Sequence, residues 1–201
     1  MKKLSLAVLT VVFTVLCAFK MNAQAFEQGR SYVNVGYGYA IFQPTTIINA
    51  FDNESSSSNI GPVRFAYEYG LSENVGVGFT VGYINSKVGF EDENFGGTDP
   101  STFTYDYTFT KLTTNLRFNF HFGEHDKLDP YIGVGAGYKI SNLTLETNDE
   151  FFDDADGGRI GVPISFESVF GIRYFFTDNI GAYGEVGIGN GAIHGGLIAK
   201  F

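Results

Sequence analysis

The 201-residue chain has no tryptophan, one cysteine, three histidines and five prolines. Each shortage excludes something. The lone cysteine, Cys17, sits in the leading apolar stretch, so the rest of the chain has neither a disulfide nor thiol chemistry. After residue 25 no apolar run approaches the roughly 20 residues that a membrane-crossing helix needs. Bases are few: 13 against 22 acids, a net charge of −9. No basic stripe runs along the chain, which excludes nucleic acid as a partner. Without tryptophan, any aromatic belt must be built from the 12 tyrosines and 21 phenylalanines.

What is present is glycine, 26 residues of it, and alternation. From Val33 to Ile41 every odd position is large and apolar, while the even positions are Asn, Gly or Ala. Strand side chains alternate between faces, so this segment is a strand with one oily and one small, polar face. That dress is reversed for a soluble protein and correct for a barrel wall in lipid.

The first 25 residues read as a targeting segment. Lys2 and Lys3 precede an apolar run from Leu4 to Phe19, and Ala23-Gln24-Ala25 is a small-x-small cleavage motif. Cleavage is expected after Ala25, with the bond after Ala23 as the second candidate. The domain boundaries are therefore 1–25, a signal peptide, and 26–201, one barrel domain. Leu16 precedes Cys17 where a lipoprotein signal needs a small residue, so lipidation is not expected. Lys2, Lys3 and Lys20 leave with the signal, so ten bases remain against all 22 acids.

Eight strands are predicted: about 31–41, 60–71, 75–88, 102–122, 131–145, 162–176, 180–189 and 192–201. Each provides the roughly 9–11 residues that a tilted strand needs to cross the hydrocarbon layer. Long connections (42–59, 89–101, 146–160) alternate with short ones, except for a short last turn at Asn190-Gly191. Long outer loops and short periplasmic turns are the usual asymmetry of membrane barrels. Closure pairs every backbone N–H in a medium without water. Tyr69, Phe120, Phe122, Tyr174, Phe176 and Phe201 point outward near the short turns and are expected to form an aromatic girdle. The fourth strand carries an irregularity. Phe103, Tyr105, Tyr107 and Phe109 are odd, whereas Leu112, Leu116, Phe118, Phe120 and Phe122 are even. A bulge near Lys111-Leu112, or an upper half standing above the membrane, accounts for the change; the protruding half is favoured.

The signal segment, the eight strands, terminal Phe201 and segments such as Asp129-Pro130-Tyr131-Ile132-Gly133-Val134-Gly135-Ala136-Gly137-Tyr138 resemble a small outer-membrane β-barrel of the OmpA/OmpX type, in the porin-like β-barrel group. The segment from Gly171 to Asn179 carries the same likeness. The resemblance covers almost the whole chain after the signal. It implies a closed, all-β, eight-stranded antiparallel barrel in the outer membrane of a Gram-negative bacterium, reached after export through the inner membrane. It also implies insertion by the barrel assembly machinery. Ile193, Leu197 and Phe201 lie on one face of the last strand and resemble the assembly signal of such proteins.

The same parity points Arg64, Glu68, Arg117, Lys139, Glu167, Arg173 and Glu185 into the lumen, with Lys200 near the rim. An eight-stranded barrel is just wide enough for side chains to fill, and buried charges must find partners. The expected result is a salt-bridged plug in a structural, envelope-integrity or surface-interaction protein that is monomeric, non-catalytic and without cofactor or metal. Its partners are outer-membrane lipids and, through the outer loops, a surface or host protein. The alternative is a small-solute channel with an anion preference, because bases outnumber acids in that set. A soluble lipid-binding barrel would need oily residues inside and polar ones outside. His121, His125 and His194 lack an adjacent His-x-Ser pairing and are expected to be hydrogen-bonded wall or turn residues. The acidic stretch from Asp149 to Gly158 lacks EF-hand spacing and reads as a solvated loop. Glycine triplets such as Gly133-x-Gly135-x-Gly137 lie inside alternating strands with no helix after them, so they are small lumen-facing residues rather than nucleotide loops.

Overall fold

The structure, a computed structural model, describes residues 25–39, 56–93, 102–123, 125–148, 158–159 and 161–201. Eight strands follow one another: β1 Ser31–Tyr39, β2 Ser56–Gly70, β3 Val75–Glu93, β4 Thr102–His121, β5 Leu128–Thr147, β6 Ile164–Phe175, β7 Ile180–Ile188 and β8 Ile193–Lys200. Each pairs antiparallel with its neighbour, and β1 pairs with β8, so the sheet closes on itself. The signal segment and the stretch from Asp149 to Gly157 lie outside the described residues.

The wall follows the alternation that lipid imposes. Phe79 on β3, Leu116 on β4 and Phe166 on β6 face outward, and Leu116 is 57% exposed. Thr80, Asn115 and Arg117, on the opposite parity, are almost fully buried. Tyr69, Phe120, Tyr174, Phe176 and Phe201 are exposed at the end of the barrel that carries the short turns; Phe122 there is half-buried.

Two expectations are corrected. β2, β3 and β5 run beyond their predicted limits, to Ser56, Glu93 and Thr147, so segments read as loop are strand. And β4 holds no bulge: it pairs without a break with β3 from Thr102 to Phe120, and with β5 from Tyr105 to His121. The register shift lies on β2, between Ile60 and Val63. Pro62 has no N–H for the ladder there. Gly61 takes φ +99°, where a Cβ would stand 2.5 Å from the Tyr83 carbonyl oxygen.

The parity change in β4 is therefore chemical rather than geometric. The outward row Tyr83–Leu112–Ile140 is the last oily one. The next three outward rows are Asn85–Thr110–Asn142, Lys87–Thr108–Thr144 and Gly89–Asp106–Glu146. The inward rows change in the opposite sense, from Gly82–Thr113–Lys139 to Ser86–Phe109–Leu143 and Val88–Tyr107–Leu145. Ile84 and Val88 are buried on that inner face. Strands β3, β4 and β5 continue past the oily belt as a sheet that wears polar groups outward.

Candidate functional site in the barrel lumen

Strand parity brings Arg64 and Glu68 from β2, Arg117 from β4, Glu167 and Arg173 from β6 and Glu185 from β7 to the barrel axis. All six are buried. Arg64 donates to Glu185 at 2.6 Å through Nη1 and to Glu167 at 3.3 Å through Nη2. Arg117 donates to the other oxygen of Glu185 at 2.8 Å and to Asn119 Oδ1 at 2.6 Å. Thr80 donates to Glu167 at 3.0 Å, and the Tyr131 hydroxyl donates to Glu185 at 2.6 Å. Nearer the short turns, Arg173 bridges Glu68 and Asp129. Its guanidinium lies 4.4 Å from the centre of the Tyr131 ring. Tyr131 thus joins the two groups of charges, with its hydroxyl on one and its ring face under the other.

Two members of this network were not anticipated. Asp129 accepts from Arg173 at 3.3 Å, and His121 sits between two carboxylates: Nδ1 is 2.7 Å from Asp129 and Nε2 is 2.8 Å from Glu68. Both carboxylates are satisfied at once when both ring nitrogens carry protons. With these two included, four carboxylates meet three guanidiniums and one imidazole. The excess of bases behind an anion preference is therefore gone. The available signal was parity: His121 is on the same face of β4 as Arg117 and Asn119. Lys139 also departs from expectation. It is half-buried and makes no ion pair among the described residues. Its pairing row runs through Thr113 and Gly82 to Arg64, yet its amine joins none of the ion pairs. Lys111, one inward row higher, donates to the Gly189 carbonyl at 3.2 Å.

Side chains pack into the lumen at both ends of the described barrel. At the short-turn end, Ala25, Phe26, Tyr32, Phe175 and Ile198 form a buried apolar cluster. The Phe26 ring stacks on His121, with centroids 3.6 Å apart and planes within 4°. Beside it Lys200 pairs with Glu27 at 2.8 Å, and this hydrogen bond holds the Glu27 carboxyl below its ordinary range. At the other end, Asn190, in the β7–β8 turn, is buried against the position of Gly82 on β3. Between them, a cavity of about 10 Å³ bordered by Asn34, Glu68, Thr80, Arg117 and Arg173 has room for about one water. His194 is buried in the upper lumen, and His125 lies in the β4–β5 turn. Ile193, Leu197 and Phe201 are exposed along the outer side of β8 and its end.

The family model for the outer membrane protein beta-barrel domain matches residues 11–196. The chain belongs to this family. An outer-membrane barrel explains both the oily belt and the ionic lumen, and its short turns mark the periplasmic end. No curated protein matches the sequence. Among solved structures, this barrel is similar to the N-terminal β-barrel domain of Pseudomonas aeruginosa OprF. The two share 16% identity over 87% of this chain and 98% of that one, with a TM-score of 0.43. It is also similar to Ail, the attachment invasion locus protein of Yersinia pestis, in complex with the heparin analogue sucrose octasulfate. Here identity is 15% over 87% of this chain and 100% of that one, with a TM-score of 0.39.

Proposed function

We propose that this outer-membrane barrel is a non-conducting anchor that presents the upper sheet of β3, β4 and β5 at the cell surface. Its role is in surface interaction or envelope integrity, with no catalytic step. The observation that carries the reading is the Arg64–Glu185–Arg117 bridge. It spans the lumen from β2 through β7 to β4, with each charge on buried partners. An open pore needs a hydrated path, and here opposite walls are tied by ion pairs. The polar outer face of the upper sheet, with Lys87, Asp106 and Glu146, is the surface offered to a protein partner. The barrel acts as a monomer and reaches the membrane by export. Insertion follows through the assembly machinery, which reads Ile193, Leu197 and Phe201.

Planar-bilayer recording of the purified, folded protein tests the closed lumen. No reproducible open state is expected. A stable conductance of constant size would favour the small-solute channel instead.

A further inference from the structure

The wall at the periplasmic end is shaped to seat a segment of chain, and the seat continues back through Ala25. The Gly70 N–H donates to Arg30 O at 3.0 Å, and the Gly29 N–H donates to Gly70 O at 2.9 Å. The Gln28 side chain donates to Leu71 O at 3.1 Å, and the Glu27 N–H donates to the Tyr32 hydroxyl at 2.7 Å. Furthest back, the Ala25 N–H donates to His125 O, in the β4–β5 turn, at 2.8 Å. The passage itself needs glycine: a Cβ on Gly70 would stand 2.3 Å from the Glu27 carbonyl oxygen. Ala25 is 2% exposed and Phe26 6%.

We propose that the signal segment is cut at the Ala23–Gln24 bond, so that the mature chain begins at Gln24 and retains Ala25 in the cork of the barrel. A signal peptidase adds water across that bond, leaving a carboxylate on Ala23 and an amine on Gln24. The Ala23-Gln24-Ala25 motif offers two bonds. The preference for small residues favours Ala25–Phe26; the fold favours the other. A cut after Ala25 removes a buried residue together with its tie to the β4–β5 turn. It also places a new ammonium on Phe26, whose ring is buried against His121. An ion withdrawn from water without a matched partner is costly. A cut two residues earlier keeps the new charge two residues of chain away from that ring. The inference depends on export and on the cork, not on what the barrel binds or conducts.

Intact-mass measurement of the protein purified from the outer membranes of an exporting host tests it. The expected mass is that of residues 24–201, or the same less one ammonia where the terminal glutamine has cyclised. A mass of 26–201, or any other start, overturns the proposal. Ala25→Leu provides a second test. Processing is expected to proceed as in the parent, because a bulky residue two places past the cut does not enter the peptidase's small-residue pockets. Accumulation of uncut precursor would place Ala25 in such a pocket and overturn the assignment.

Discussion

Below the row Tyr83–Leu112–Ile140, strands β3, β4 and β5 turn oil outward and small, polar or charged groups inward; above it the same strands turn polar groups outward and gain oil inward. Backbone pairing is identical on both sides of that row, so hydrogen bonding does not account for the difference. The solvent outside the wall does. In acyl chains a polar outward group costs free energy and an apolar one does not; in water an exposed apolar sheet face invites association. The lower half, surrounded by lipid, has only its interior in which to keep charges. The upper half has water outside and can bury apolar groups on its inner side, as Ile84 and Val88 show.

The largest effect should come from breaking the lower interior. Arg173→Met leaves Glu68 and Asp129 without their shared guanidinium, in a place 1% exposed. Removing one partner of a buried pair costs about 3–5 kcal/mol. Urea unfolding of the barrel in detergent or lipid vesicles is expected to show a midpoint lowered accordingly. Glu167→Ala should cost less than Glu185→Ala, because Glu185 serves Arg64, Arg117 and Tyr131 while Glu167 serves Arg64 and Thr80. Equal losses would mean that the network does not distribute charge as its geometry implies.

A matched pair of charges on the outer face of β4 sharpens the comparison. Leu116→Arg places a guanidinium in the oily belt, where such a change costs about 2–4 kcal/mol near the bilayer midplane. Thr108→Arg places it on the same face of the same strand, above the last oily row, where a surface change is worth within about 0.5 kcal/mol. Measured in lipid vesicles, the two variants should differ by most of the first figure. If they were alike, the boundary drawn at Tyr83–Leu112–Ile140 would be wrong.

The periplasmic mouth should add a smaller, pH-dependent effect. The hydrogen bond from Lys200 holds the Glu27 carboxyl below its ordinary range. A carboxyl lowered by folding contributes stability above its ordinary range and loses it as pH falls through the lowered value. Glu27→Gln should therefore flatten the acid side of the stability profile and leave its alkaline side unchanged. A profile that keeps its acid slope would assign that slope elsewhere.

How far the sequence could be read follows the same division. Within the belt, lipid enforces strict alternation. Parity there placed Arg64, Glu68, Arg117, Glu167, Arg173 and Glu185 on the lumen side, with Leu116 and Phe166 outside. Above the belt that enforcement ends. Asn85-Ser86-Lys87-Val88-Gly89 alternates only weakly, so β3 was expected to stop near residue 88, and the reversed dress of β4 left a bulge open beside the favoured protruding half. Parity assigns a face but not a partner, which is why Lys139 was grouped with the charges that pair. Asp129 and His121 were missed for different reasons. Asp129 lay outside the predicted fifth strand, whereas His121 had the inward parity of the fourth but was read as a wall or turn histidine; their value appears only when β2, β4, β5 and β6 converge on Glu68 and Arg173. The register shift at Gly61-Pro62 had a readable cue, since a proline inside a strand interrupts its ladder.

The smallest expected effect is on the outer face of the upper sheet, where the only difference from the lumen is water. Lys87 pairs with Asp106 at 2.9 Å and approaches Glu146 at 3.9 Å, a cluster of charges from three strands whose shorter contact is closer than the two 3.3 Å pairs inside the barrel. Yet all three side chains are more than a third exposed. Water and salt screen such pairs, and holding two long side chains together offsets much of what remains. Lys87→Ala should leave the unfolding midpoint unchanged, at low salt and at high salt alike, although it breaks an ion pair shorter than the 3.3 Å Arg64–Glu167 contact. A clear loss, disappearing as salt is added, would mean that this cluster is shielded from solvent and that the upper sheet is more like the lumen than its exposure indicates.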